Sequence, residues 1–426
     1  MRLRIFLCFG LLYSSLWAQQ LTLSPYSRYG VGDIINNGTV RNASMGGIGM
    51  ATGNYFSVNR LNPASYADAA FTTFDISGFA YFNQLKTQEK SENQSSAGFQ
   101  NIAFMFPSNK NFTLAFGFAP FSVVGYDITS LRLIDANGID GIERIQYKAD
   151  GGLNQVFLGG GFRMLKQRLR FGWNFLYTFG GTRYTRITSI PEDSPIIAAH
   201  TVTLTDQTYL TGFGGQVGLM FVDSLKSSDL YLRIGAMAEF NGELKGSRLM
   251  TSDNVVGLDT LINEEGAVSI PTKYGIGVHL SRPGKWAVGA DVSMQNWEQF
   301  TYFSNPTQLS RELVIAVGGE LTPNFTSTNY LERISYRIGG YAKRSYIAVG
   351  GESVNDVGFT LGVGLPASQQ GTNQYNRARL YSKISLGVAV GKRGNLSINQ
   401  PLEEFYARVR IGITLNDTWF IRRVVD

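Results

Sequence analysis

The sequence predicts an all-β fold, a 14-stranded antiparallel transmembrane β-barrel, on three observations. Apolar residues alternate with small or polar ones in repeated segments between positions 69 and 415, the N-terminus reads as an export signal, and nothing beyond that signal is a helical membrane span. Such a span needs about 18 or more consecutive apolar residues. Successive side chains of a strand point to opposite faces, so a strict alternation gives one greasy face and one polar face. In the last segment Phe405, Ala407, Val409, Ile411, Ile413 and Leu415 interleave with Tyr406, Arg408, Arg410, Gly412 and Thr414. A transmembrane barrel turns the first set to lipid and the second to its lumen. With 49 Gly, 28 Phe and 21 Tyr but only 16% charged residues in 426, the composition fits many tight, aromatic-decorated strands.

The N-terminal 18 residues set the compartment. Arg2 and Arg4 precede an apolar run over 5–16, and Ala18 before Gln19 and Gln20 offers a cleavage point, the pattern of a signal peptide. The sole cysteine, Cys8, lies inside this signal, so no disulfide or thiol chemistry is expected after cleavage. Removing the two arginines lowers the formal charge from +6 to +4, too little to argue for nucleic acid as a partner. Export without a helical span places the chain in the outer membrane of a Gram-negative bacterium.

Fourteen alternating segments follow, at 71–82, 99–106, 112–126, 147–162, 169–182, 204–221, 230–242, 268–280, 285–297, 312–321, 333–343, 357–365, 381–390 and 405–415. An even count is what single-chain bacterial barrels require, with short periplasmic turns and long outer loops. The connectors 107–111, 165–168, 222–229 and 282–284 are short, while 83–97, 127–145, 187–203 and 247–267 are long. That order puts both termini in the periplasm. The predicted organisation is a signal peptide 1–18, an N-terminal hatch 19–68, a barrel 69–415 and a periplasmic tail 416–426.

The two faces differ chemically. Leu169, Phe171, Trp173, Phe175, Tyr177 and Phe179 share the lipid-facing parity, as do Trp286, Val288, Ala290, Val292 and Met294. The opposite parity holds Arg168, Arg170, His279 and the lumen charges Arg233, Glu239, Lys273, Asp291, Arg333, Arg337, Lys383, Arg408 and Arg410. A polar, basic lumen has two explanations: charges that pair inside a plugged barrel, or a passage that attracts anions.

Residues 19–68 have no sustained strand pattern but are rich in Gly, Asn and Ser, which suits a compact segment inserted into the barrel. The stretch NASMGGIGMATGNYFSVNRLNPASYAD over 42–68 resembles the hatch signature of the FadL/TodX family of outer-membrane transporters for long-chain fatty acids and hydrocarbons. The hatch motif comprises Gly46, Gly47 and Gly49, then the triplet Asn62, Pro63 and Ala64 just before the first strand. SPYSRYGVGD over 24–33 and IGITLNDTWFIRR over 411–423 resemble a divergent branch with PorV-like accessory barrels of secretion systems. The resemblance implies fourteen strands, an N-terminal hatch and a kink in the third strand that opens a side window. Here Pro120, with Gly117 and Gly125, is the candidate lateral gate, because proline cannot donate to a ladder; the alternative is that the third strand simply ends there.

Enzyme, cofactor and metal functions are not expected. A hydrolase needs a histidine base beside a nucleophile or water; the two histidines, His200 and His279, fall at distant places in the strand order. The glycines of 46–53 lack the following Lys-Ser/Thr of a phosphate loop. Asp253, Asp259, Glu264 and Glu265 read as a solvated loop rather than a calcium site. Two functions remain. One is passive uptake of a hydrophobic, fatty-acid-like small molecule with lateral exit at the third strand. The other is a non-transporting accessory barrel in an outer-membrane protein secretion or assembly complex, with other outer-membrane proteins as partners. Outer-membrane lipid surrounds the barrel in both.

Overall fold

The computed structural model describes residues 24–35, 38–53, 55–136, 139–165, 167–189, 201–225, 229–367, 381–397 and 401–418. The export signal, His200 and the tail from 419 lie outside them. Fourteen strands form one closed antiparallel wall: β1 Thr72–Lys86, β2 Ser91–Pro107, β3 Phe112–Ala136, β4 Ile139–Met164, β5 Leu169–Ser189, β6 Val202–Leu225 and β7 Leu230–Asn241. They continue with β8 Lys273–Arg282, β9 Trp286–Asn296, β10 Arg311–Leu321, β11 Ser335–Val349, β12 Glu352–Pro366, β13 Lys383–Gly394 and β14 Glu403–Asp417. The ring closes where β14 pairs with β1, from Glu403↔Lys86 to Asp417↔Thr72. Closure pairs the strands with one another around the ring, apart from one stretch of the β2–β3 seam, which is how strands can cross a bilayer.

All fourteen alternating segments contribute to this wall, although 268–280 and 333–343 begin ahead of β8 and β11, and the parity of each strand sets its faces. Val288, Val317, Ile276, Phe175 and Ile411 are exposed on the outside, while Arg170, Arg233, Asp291 and Arg337 are buried within. The lipid belt can be probed directly. Ile276, mid-strand in β8 and exposed, is expected to cost about 2–4 kcal/mol when replaced by lysine, because a charge then enters hydrocarbon. Urea unfolding in lipid vesicles checks this, and a cost below about 1 kcal/mol would take this face out of the membrane.

The long connectors are mostly not loops. The β3–β4 ladder runs on to Ala136↔Ile139, β1 and β2 stay paired to Lys86↔Ser91, and Glu243–Asn254 pairs with Gly257–Ser269 as a separate hairpin laid against the first half of β6, at the long-hairpin end of the barrel. Pairing outlasts the hydrophobic alternation because beyond the membrane both faces of a hairpin meet water. The backbone hydrogen bonds persist while the period-2 signal fades.

Candidate functional site

The barrel interior is filled by the N-terminal segment. From residue 24 it lies at the long-hairpin end, where Tyr26 donates to the Leu402 carbonyl at 2.6 Å and Ser24 reaches Glu404 at 3.1 Å. It then descends to the short-turn end and enters β1. Thr39 and Asn42 form a reciprocal capping box on the short helix Val40–Ala43, and Asn62 caps the 3-10 turn Pro63–Asp68 by accepting from the Ala64 N–H. Burial pushes the Tyr26 and Tyr66 phenols up to about 12, so both stay protonated.

Each residue of the sequence motif has a seat. Gly46 and Gly47 hold φ of 69° and 89°, conformations that favour glycine, and a Cβ on Gly46 would overlap the wall carbonyls of Gly340 and Val317. The Gly49 and Met50 N–H groups donate to Asp291 at 2.6 and 2.8 Å. Asn62 Nδ2 donates to the Met50 carbonyl at 2.6 Å and approaches the wall carbonyls of Leu219 and Ala236 at 3.3 Å. Pro63 and Ala64 lie against Gly172, where any Cβ would overlap their backbone.

Several interior charges are paired. Asp68, fully buried, meets Arg170 and lies 3.8 Å from Arg233. Glu320 takes two bonds from Arg41 at 3.0 Å and one from Arg337 at 2.7 Å, and Glu312 pairs with Lys343 at 2.7 Å. Arg408 lies over the Tyr81 ring at 4.7 Å. Glu239, Lys273, Lys383 and Arg410 keep the inward parity and are half-buried. Two residues sit elsewhere than the strand parity implies. Arg168 lies in a turn, exposed and 3.8 Å from Asp223. Arg333 ends the short helix Tyr330–Arg333 before β11, because that strand begins only at Ser335. Among the described residues no group of three or more His, Cys, Asp or Glu is placed to hold a metal, and Glu264 instead pairs with Arg248 at 3.3 Å.

The wall is interrupted at β3. Its ladder with β2 runs from Pro107↔Thr113 to Ile102↔Phe118 and, among the described residues, stops there. On the other side Pro120 still pairs with Asn154 of β4, followed by a bulge before Ser122. Gly117 belongs to the last pairs before the break, and Gly125 lies beyond it, its N–H donating to Ser27 Oγ at 3.1 Å. The N-terminal segment fills the opening. Asp33–Ile34 pairs with Val123 and Ser122, Ile35 N–H donates to the Phe121 carbonyl at 3.0 Å, and Gln100 of β2 donates to the Gly38 carbonyl at 2.7 Å. Arg393 clamps Asp33 through two bonds of 2.7 and 3.0 Å. Sequence reasoning found the proline but not this internal strand, since two residues carry no periodicity.

Above the segment, residues from 297 to 309 fold inward between β9 and β10. Trp297, Phe300, Phe303 and Leu309 pack with Tyr26, Val31, Phe121, Leu153 and Tyr346 into one buried apolar cluster. Beside it lies a vestibule of about 830 Å³ lined by Tyr126, Tyr147, Tyr184, Leu204, Met250 and Tyr302, among others.

The chain is similar in structure to the P. putida toluene transporter TodX, with a TM-score of 0.59 at 13% identity over 91% of this chain and 100% of that one. A Pseudomonas aeruginosa FadL homologue gives 0.58 at 10% identity over 90% and 99%, and the Ralstonia pickettii toluene transporter TbuX gives 0.54 at 13% over 89% and 99%. At these identities the likeness shows the fold alone, that of FadL-like outer-membrane barrels. No curated protein sequence matches. A family model described as BamG matches residues 1–426, so the chain belongs to the BamG family.

Proposed function

We propose that this barrel is a non-transporting accessory subunit of an outer-membrane protein secretion or assembly complex, with both termini and the short turns in the periplasm and residues 19–68 acting as a fixed hatch. One observation carries the reading: the interior is blocked at two levels, by the ion-paired segment below and the Trp297–Tyr346 apolar cluster above. Outside the lipid-facing belt, large apolar side chains are exposed at the short-turn end, as at Leu165, and most fully on the hairpin tips. Leu131 and Leu133 are 61% and 82% exposed, and Val256 is 97% exposed. Leu131 stands thirteen residues beyond Phe118, roughly 40 Å of strand, so lipid does not cover it. Leu131 and Leu133, two apart on one strand, share a face, and contiguous apolar surface outside a membrane favours a protein partner. The family name points the same way, and kinship with PorV-like accessory barrels belongs to the same proposal.

Passive uptake of a hydrophobic small molecule is the second reading. The β2–β3 break at Phe118 and the aromatic vestibule favour it, with Gly117, Pro120 and Gly125 as the lateral gate. Against it, Asp33–Ile34 sits in the opening. Gentle affinity purification from native outer membranes, with mass spectrometry of co-purifying proteins and lipids, separates the two. A stoichiometric complex with other outer-membrane proteins is expected; a monomer carrying a defined hydrophobic ligand would transfer the argument to uptake. Serine at Leu131, Leu133 and Val256 together is expected to lower partner recovery at least tenfold, equivalent to about 1.4 kcal/mol of binding, with barrel folding unchanged. Undiminished recovery would remove the hairpin tips from the interface.

A further inference from the structure

A second cavity, of about 390 Å³, lies at the short-turn end between the N-terminal segment and strands β7 to β13. Its lining is basic: Arg41, Arg233 (3.8 Å from Asp68 behind it), Arg337, Lys383, Arg282 (3.6 Å from Asp229) and Lys285 stand against two lining acids, Glu320 and Asp75. Neither acid is available to a further cation. Glu320 is held between Arg41 and Arg337, and Asp75 accepts from Asn101 at 3.0 Å and Thr414 at 2.7 Å. Lys383 finds a hydroxyl rather than a carboxylate, Ser335 Oγ at 2.6 Å.

Two side chains at the back of the cavity are left with unused hydrogen-bonding atoms. His279 is 2% exposed with neither ring nitrogen bonded, and the neighbouring Arg233, also 2% exposed, has its Nε unbonded. They face each other across the β7–β8 ladder. A buried imidazole with two idle nitrogens costs desolvation that nothing in the protein offsets. The cavity mouth is flat and aromatic: Phe56 stacks on Tyr381 with ring centroids 3.9 Å apart, and Tyr381 stacks on Phe325 at 5.0 Å.

We infer that this cavity binds a phosphate monoester or diester, the anion on Arg233, His279 and Lys383 and the apolar body against the Phe56–Tyr381–Phe325 ledge. Phosphate offers several acceptor oxygens at once, which suits the unbonded Nε–H of Arg233, a lysine and an imidazole N–H lining one cavity from separate strands. A phospholipid headgroup and a free phosphate ester present this same group. The site is separate from the vestibule and from the wall opening, and the inference holds whether the barrel is a scaffold or a transporter.

The test uses the full-length protein, purified in detergent and phosphate-free buffer, titrated calorimetrically with phenyl phosphate and with inorganic phosphate. In parallel, native mass spectrometry follows phosphatidylglycerol retained after exchange into lipid nanodiscs. Phenyl phosphate is expected to bind more tightly than inorganic phosphate, and H279L and K383M are each expected to weaken it at least tenfold, with R168A, in the exposed turn, as the unchanged control. Retained phosphatidylglycerol that both variants lose identifies the headgroup as the source; binding of phenyl phosphate without retained lipid identifies a soluble ester. No binding of either phosphate probe and no retained lipid in the wild type would overturn the inference. So would affinities in H279L and K383M equal to the wild type, both variants having been checked for the folded, heat-modifiable band.

Discussion

Replacing Asp68 by alanine is expected to cost the folded barrel about 3–5 kcal/mol, the loss typical of removing one partner from a buried ion pair. Asp68 ends the 3-10 turn that leads into β1 and is fully buried, joined to Arg170 of β5 and facing Arg233 of β7. It thus ties the N-terminal segment to two strands of the wall. Without the carboxylate, two guanidinium groups remain in the interior, Arg170 with the Gln167 carbonyl at 3.1 Å and Arg233 with Ser281 at 3.1 Å and Tyr55 at 3.3 Å. Those neutral acceptors stabilise a buried cation less than a carboxylate does. Asp68→Asn keeps one acceptor and should fall between the alanine variant and the wild type. Urea midpoints read from the heat-modifiable gel band would check the order; a loss below about 1 kcal/mol for alanine would mean that water reaches the two arginines.

Replacing Gly172 by valine should act on the segment rather than the wall. A Cβ there overlaps the Pro63 carbonyl and the Ala64 nitrogen, and backbone, unlike a side-chain end, cannot swing away. Overpacking of this kind costs roughly 1–3 kcal/mol where neighbours can adjust. The wall ladder on both sides of Gly172, to Gly161 and to Gly218, is unaffected in its hydrogen bonds. The expected result is a barrel that still forms but whose residues 45–68 exchange amide hydrogens at least tenfold faster. Hydrogen exchange with peptide mapping measures it, and unchanged protection would mean that the Asn62-Pro63-Ala64 turn can be reseated without cost.

The proline at 120 illustrates how far the sequence could be read. A residue without an N–H in the third strand announces an irregular ladder, and the β2 pairing does end two residues before it. What occupies the break could not be read. The Asp33–Ile34 strand is two residues long, held by Ser122 and Phe121 from β3, Gln100 from β2 and Arg393 from β13. None of these is within 60 positions of Asp33 in the chain. The lumen charges tell a similar story: Glu320 could be assigned to the inner face by its parity, but its two arginines come from β11 and from the N-terminal segment.

By itself the sequence determined the strand count and the inward and outward parity of the strands, and it raised the expectation of a compact segment ahead of the first. These are local consequences of a period-2 pattern set between lipid and lumen, and of glycines whose neighbours in the chain already mark a turn. Only the tertiary structure decided how long the hairpins run, that residues 297–309 fold inward, which charges neutralise one another and that the N-terminal segment fills the wall opening. Those depend on contacts between residues hundreds of positions apart, where closure of the ring, not local preference, sets which side chains meet.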